Sequence, residues 1–308
     1  MTAVRILVTP RSMTAAGLSS VAELAPLTER GWELVASPAG RLPTEDELVD
    51  LLPGIDGWLA GVERVSARAI AGADRLRVIS RNGVGADAVD VAAAEAAGIT
   101  VALARGANSR GVAELALALS LACLRDLPRS NAAMHDGGWE RSLGREMPDI
   151  TLGLVGFGAI GRLVGRFAAA LDARVIAFDP FTAVEGAEPA TLEQVFADSD
   201  VISLHSPPPA DGSPLVTREL LASTRSGAVL VNTARSALVD DAAVLDALES
   251  GRLSAYAVDA FDTEPPELSA LLRHPRTVLT PHLGGYTGAS TRRATEQSVA
   301  NLIATLEG

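Results

Sequence analysis

TLGLVGFGAIGRLVGRFAAA, residues 151–170, joins a short apolar strand to a helical run through three glycines, Gly156, Gly158 and Gly161. Each glycine has a physical task in a turn that cradles a dinucleotide. The first permits the tight strand-to-helix turn, the second lets the backbone approach a pyrophosphate, and the third allows the helix to lie close on the sheet. Exposed N–H groups at the helix start then meet the phosphates. The next strand, VIAFD, closes on Asp179. A carboxylate there accepts hydrogen bonds from both hydroxyls of an adenosine ribose and repels a 2′-phosphate, so the pattern predicts NAD rather than NADP. A bare GxGxxG is a weak signal, but the strand, the helix and the acid at the expected interval remove most chance matches.

Outward from this stretch, short β-rich runs alternate with helix-compatible segments. VRILVT, WELVA, DGWLA, LRVIS and ITVA occupy the first hundred residues; TLGLV, RVIAF, DVISL, AVLVN, AYAVDA and TVLT run from Thr151 to Thr280. This rhythm predicts an α/β fold of two doubly wound, parallel-sheet units, the second holding the cofactor. A helix capped by Asn108 or Ser109 is expected to run to about Arg125, apolar around nearly its whole circumference and so buried on all sides. The last segment, TRRATEQSVANLIATLEG, is amphipathic, with Val299, Leu302, Ile303 and Leu306 on one stripe that should return to the first unit. The loop HSPPPADGSP is rich enough in proline to resist helix and strand alike.

The 308 residues suit two cores. Lys and Arg number 26 against 38 Asp and Glu, an acidic balance that argues against nucleic acid and anionic membranes as partners. A small pocket can still gather a few arginines for an anionic metabolite. The most apolar long stretch, VAELALALSLACL, falls short of the roughly 20 residues of a membrane span. The start, MTAVRILVTP, lacks the features of a signal peptide, so a cytoplasmic setting is expected. Cys123, the single cysteine, reads as a small packed side chain. No metal site is expected.

Three charged residues stand in loops at the ends of second-unit strands: Arg235 in LVNTARSALVD, Glu264 in VDAFDTEPP and His282 in LTPHLGG. Ligands of open α/β sheets bind at that edge. Hydride transfer needs a cation for a substrate carboxylate, a proton donor, and a group to orient that donor, and these residues supply one of each. Arg235 offers a rigid fork of donors. His282 can exchange an alcohol proton near neutral pH, with Glu264 fixing its tautomer. Singly, each has a plainer reading: a loop histidine after proline, and an arginine paired with Asp240 or Asp259.

GFGAIG followed by DP, then LHSPP, NTARSALVD, VDAFDTEPP and TPHLGG, in that order, resembles the D-2-hydroxyacid dehydrogenases over essentially the whole chain. The resemblance implies a catalytic trio of Arg235, Glu264 and His282, with glutamate rather than glutamine at 264 setting the chain apart from the formate dehydrogenase branch. It implies a discontinuous, flavodoxin-like substrate domain from residues 1–103 plus 284–308, a central Rossmann domain over 104–283, a cleft between them, and a homodimer. It carries cofactor contacts to Ala159, Ile160, His205, Thr233 and Asp259, and substrate contacts to Val84 and Gly85 in SRNGVGADAVD and to Asn108. On the residues alone, SRNGVGADAVD is a simple turn, Asn108 a helix cap, and His205 a polar strand-end residue. Where the family has glycine after the arginine, this chain has Ser236 and Ala237, which costs that loop backbone freedom.

ISRNGVG and MHDGGWERSLG bring the chain nearest to the phosphoglycerate dehydrogenase branch. That likeness implies Arg81 and Arg141 as phosphate ligands, Arg141 reaching in from a partner subunit; the plain alternative is a salt bridge at Arg81 and a solvated arm at Arg141. Ala60 stands where the branch often has a further arginine. C-terminal regulatory domains of the long members are not expected. The leading expectation is therefore an NAD-dependent dehydrogenase acting on a small anionic 2-hydroxy or 2-oxo acid such as 3-phosphoglycerate. A glyoxylate or hydroxypyruvate reductase is the second reading, and an NAD(H)-sensing binding protein like the corepressors that resemble this family is the third.

Overall fold

A computed structural model describes residues 3–308. The chain forms two compact units, one from the residues up to Asn108 together with Thr287–Gly308, the other from Ser109–Tyr286.

In the first unit, β1 (Arg5–Val8), β2 (Glu33–Ala36), β3 (Gly57–Ala60), β4 (Val78–Arg81) and β5 (Thr100–Leu103) form a parallel sheet in the order β2-β1-β3-β4-β5. Its two faces carry separate apolar clusters. Leu7, Trp58, Ala60 and Ile79 point to one side, and Ile6, Val8, Leu59 and Val78 to the other, as the two-residue period of a strand requires. The C-terminal helix, Gly288–Glu307, covers the second face with Val299 and Leu302 buried and Ile303 and Leu306 beside them. Reciprocal side-chain bonds pin it to the sheet: Ser80 Oγ donates to the Ser298 carbonyl at 2.9 Å, and Ser298 Oγ to the Arg81 carbonyl at 2.8 Å.

The second unit holds β6 (Thr151–Val155), β7 (Arg174–Phe178), β8 (Glu188–Pro189), β9 (Val201–Leu204), β10 (Ala228–Asn232), β11 (Leu253–Val258) and β12 (Thr277–Leu279). They form a parallel sheet in the order β12-β11-β10-β9-β6-β7-β8. The central strands are buried throughout, because helices lie on both faces. Every run quoted above as a strand is one. The two-residue β8 was not expected; it sits at the sheet edge, where Pro189 costs no ladder bond.

The two units divide at 108/109 and 286/287. Ala104 and Ala107 pack against Ala294 of the C-terminal helix, which keeps 104–108 with the first unit. The Gly284 N–H donates to Asp259 at 2.8 Å, which keeps that turn with the second. The long helix, Ser109–Leu124, is not buried on all sides: Arg110, Glu114 and Ala118 form an exposed i, i+4 row, and Arg110 pairs with Glu114 at 2.7 Å. Alanine and leucine are strong helix formers at the surface as well as in the core, so their abundance does not fix the buried face.

Each sheet has one place where successive connections leave in opposite directions along the strand order. In the first unit it lies between β1 and β3, in the second between β6 and β9. Ligands of doubly wound sheets settle outside the carboxyl ends of strands at such points.

Candidate active site

Six loops at the carboxyl edge of the second sheet carry the residues singled out from sequence. The glycine turn follows β6, Asp179 follows β7, His205 follows β9, Arg235 follows β10, Glu264 follows β11 and His282 follows β12. In the sheet order, the last three belong to adjacent strands at one end, and the first three to the switch point and its neighbour. With strands about 4.8 Å apart, Arg235 and His282 issue from strands roughly 10 Å apart.

Gly156 has φ +94°, and a Cβ there would lie 2.6 Å from the His205 carbonyl oxygen. A Cβ at Gly161 would run into the Gly156 carbonyl. Both therefore serve close packing. Around Gly158 a Cβ would meet nothing within 4 Å, so the backbone there is open to an incoming group. Gly158 caps the helix Ala159–Ala169 without any side-chain bond, leaving the first N–H groups, those of Ala159 and Ile160 among them, for a ligand.

Three buried polar atoms on the neighbouring loops have no hydrogen-bond partner among the described residues: His205 Nδ1, Ser206 Oγ and Thr233 Oγ1. A dinucleotide rich in donors and acceptors suits such a set. His205 Nε2 meets Ser203 Oγ at 2.9 Å, and burial pushes the imidazole pKa down to about 4, so the ring is neutral at pH 7. Burial pulls the Asp179 carboxyl upward, but the N–H groups of Phe157, Phe181 and Thr182, at 2.7, 2.8 and 2.9 Å, and the nearby Arg162 outweigh it. The net shift is downward, so Asp179 is an anion fixed at the end of β7. These residues fit NAD.

His282 Nδ1 lies 2.6 Å from Glu264 Oε1, both side chains being about half exposed. With Nδ1–H donating to the carboxylate, Nε2 is left for a substrate oxygen. The histidine sits at φ +52°, a strained value for a residue with a side chain, and the loop is held there by Asp259. Asp259 is 1% exposed, and its two oxygens accept from Thr280 Oγ1 at 2.6 Å, Leu283 N–H at 2.7 Å and Gly284 N–H at 2.8 Å. Asp259, to which the resemblance carries a cofactor contact, thus also braces the histidine loop.

Arg235 keeps φ −145°, ordinary extended backbone, so Ser236 and Ala237 do not distort it. Ser236 Oγ donates to Asp262 instead. Asn232, wholly buried at the end of β10, shapes the arginine loop by donating to the Arg235 carbonyl at 2.8 Å and accepting from Ala234 N–H at 3.1 Å. Sequence reading missed Asn232 and Ser203; a polar residue in an otherwise apolar strand run was the available signal.

The remaining residues expected to meet substrate stand on other segments. Arg81, Val84 and Gly85, at and after the end of β4, and Asn108 belong to the first unit. Arg141 is exposed in a stretch of the second unit that is neither helix nor strand. Also missed was Glu63, buried at the first unit's own switch point beside Thr9. Cys123 is packed as expected, and burial pushes its thiol up to about 12, far from a nucleophile's range. Among the described residues no helix is long and apolar enough to cross a membrane.

The family described as D-isomer specific 2-hydroxyacid dehydrogenase, NAD binding domain, matches residues 117–284. The chain is 40% identical over 260 residues to the D-3-phosphoglycerate dehydrogenase of Mycobacterium tuberculosis, covering 82% of this chain and 49% of that protein. It thus spans about half the length of the relatives of this name. Against the hydroxypyruvate reductase of Thermotoga maritima it is 36% identical over 263 residues, covering 81% and 84% of the two chains. Among solved structures, the TT0316 protein from Thermus thermophilus superposes with a TM-score of 0.88 at 36% identity, over 99% of this chain and 97% of that one.

Proposed function

This chain belongs to the D-isomer specific 2-hydroxyacid dehydrogenase family, and from that premise we propose that it is an NAD-dependent dehydrogenase of small D-2-hydroxy acids. The observation that carries the proposal is the 2.6 Å contact of His282 Nδ1 with Glu264, on the strand next to the one that delivers Arg235. NAD(H), when bound, supplies the group that accepts or gives the hydride.

The chain's own residues do the rest. Arg235 holds the substrate carboxylate with its planar fork. His282 Nε2 takes the C2 hydroxyl proton as the alcohol is oxidised and returns it when the oxo acid is reduced. Glu264 keeps the ring in the right tautomer and stabilises the imidazolium that forms. Asp259 holds the histidine loop, and Asn232 the arginine loop.

The first unit is assigned to the substrate, with contacts from Val84, Gly85, Asn108 and Arg81, and the second to the cofactor. A homodimer through residues 127–143 is part of the same reading. Leu127, Met134, Trp139 and Leu143 are exposed there, an apolar surface that a second copy would cover, and Arg141 lies among them. The cytoplasm is the setting proposed for an NAD-linked metabolic reaction.

The test is a panel of 2-hydroxy and 2-oxo acids, phosphorylated and not, followed through NADH absorbance. Reduction of at least one short 2-oxo acid is expected. NADH binding with no turnover of any acid would favour a sensing role instead.

A further inference from the structure

At the first unit's switch point the strand ends are filled by side chains. Thr9 follows β1, and Glu63 lies three residues beyond the end of β3, where Ala60 is paired in register with Arg81, the last residue of β4. Glu63 is 2% exposed and Arg81 8%. Glu63 Oε1 is fully occupied: it accepts the Thr9 hydroxyl proton and the Gly61 N–H at 2.9 Å. Trp58 Nε1–H in turn donates to Thr9 Oγ1 at 2.9 Å, so the acid is locked to the sheet.

Glu63 Oε2, by contrast, has no hydrogen-bond partner among the described residues, and neither has Arg81 Nη1, although Arg81 Nε reaches the Gly85 carbonyl at 3.3 Å. Leaving a buried polar atom unpaired costs about 1–3 kcal/mol, more for a charged group. Burial lowers the Arg81 pKa, and the charges of Glu63 and Asp87 oppose that shift. The guanidinium therefore already faces negative charge.

We propose that Glu63 Oε2 and Arg81 Nη1 form a subsite for a hydroxyl group, which donates to the carboxylate and accepts from the guanidinium. The inference rests on the dehydrogenase reading for the molecule that carries this group: a 2-oxo or 2-hydroxy acid with a further hydroxyl and no phosphate. A hydroxyl has one donor and two acceptor sites and matches both orphaned atoms. A phosphate monoester at neutral pH is an acceptor only, and its charge would meet Glu63 as well as Arg81. The neighbouring strand end, paired in register with Arg81, is Ala60 and adds no charge. A site built to bond a hydroxyl discriminates against the analogue that lacks it, because its buried groups are then left unpaired.

The experiment compares hydroxypyruvate, glyoxylate and 3-phosphohydroxypyruvate as substrates of the full chain with NADH, in the wild type and in Glu63→Gln and Arg81→Gln. In the wild type, kcat/KM for hydroxypyruvate exceeds that for 3-phosphohydroxypyruvate. In Glu63→Gln the ratio of hydroxypyruvate to glyoxylate falls about tenfold, the scale of one charge-assisted bond, and the preference against phosphate weakens. Arg81→Gln lowers the same ratio without the gain for phosphate, and it reads the subsite even where the Glu63 variant does not fold. Unchanged ratios in both variants would mean that the two atoms share only a buried structural water, and would overturn the subsite while leaving the dehydrogenase in place. A wild-type preference for 3-phosphohydroxypyruvate would do the same. If none of these acids and no other 2-oxo acid of the wider panel turns over, the dehydrogenase reading falls and the subsite with it.

Discussion

The two switch points have the same parallel-strand framework and opposite contents. In the second unit the turn after β6 is made of glycines, with open space over Gly158 and uncapped N–H groups at a helix start. In the first unit the corresponding place holds the side chains of Thr9, Glu63 and Arg81, and a Cβ on Gly61 would lie only 2.7 Å from Glu63 Oε2. One point presents backbone donors suited to a polyphosphate; the other presents a carboxylate and a guanidinium, each with an unpartnered atom. Topology decides where a ligand sits, and the residues after the strands decide what it is.

This contrast can be broken first at the glycine turn. Gly156→Ala should cost about 3 kcal/mol of stability in thermal melts, since it combines a left-handed φ with a backbone collision. Gly158→Ala should melt with the wild type yet bind NADH more weakly in calorimetry, because its Cβ enters space left for the cofactor. Equal losses of stability in the two variants would show that Gly158 is structural too.

The next effect in size concerns acid. His205 is held neutral with its pKa lowered from 6.5 to about 4. Between those values the unfolded chain binds a proton that the folded chain does not, so stability is full above pH 6.5 and drains away as pH falls toward 4. The loss is of the order of 2–3 kcal/mol, and His205→Asn should flatten that part of a stability-against-pH curve. An unaltered slope would place the acid sensitivity in other groups.

A smaller effect is expected at Asp179. Asp179→Ser keeps an acceptor for the surrounding N–H groups while removing the charge that opposes a 2′-phosphate. The NADH-to-NADPH preference in kcat/KM should fall about tenfold. No change would locate nucleotide choice elsewhere.

Much of this architecture was written in local patterns. Apolar runs of four to six residues marked eleven strands, and the glycine motif with Asp179 marked the second switch point, because both depend on neighbours in sequence. The pairing of His282 with Glu264 was legible for a related reason: each stands in the loop after a strand, and the edge it stands on is fixed by the parallel sheet. The first switch point was not, since Thr9 and Glu63 are 54 residues apart and nothing periodic links them. Asn232 was hidden similarly, and so was the bracing role of Asp259, because both act mainly on backbone groups of loops. The exposed row on Ser109–Leu124 escaped because alanine-rich helices carry no strong sidedness in their composition.

The central claim is that one imidazole moves the proton while the glycine turn independently holds the cofactor. His282→Ala measures it most directly, with turnover of a reduced 2-oxo acid and NADH affinity read on the same preparation. A fall in kcat of about 10³-fold with NADH affinity unchanged is the result predicted here. Turnover retained near the wild-type rate would contradict it.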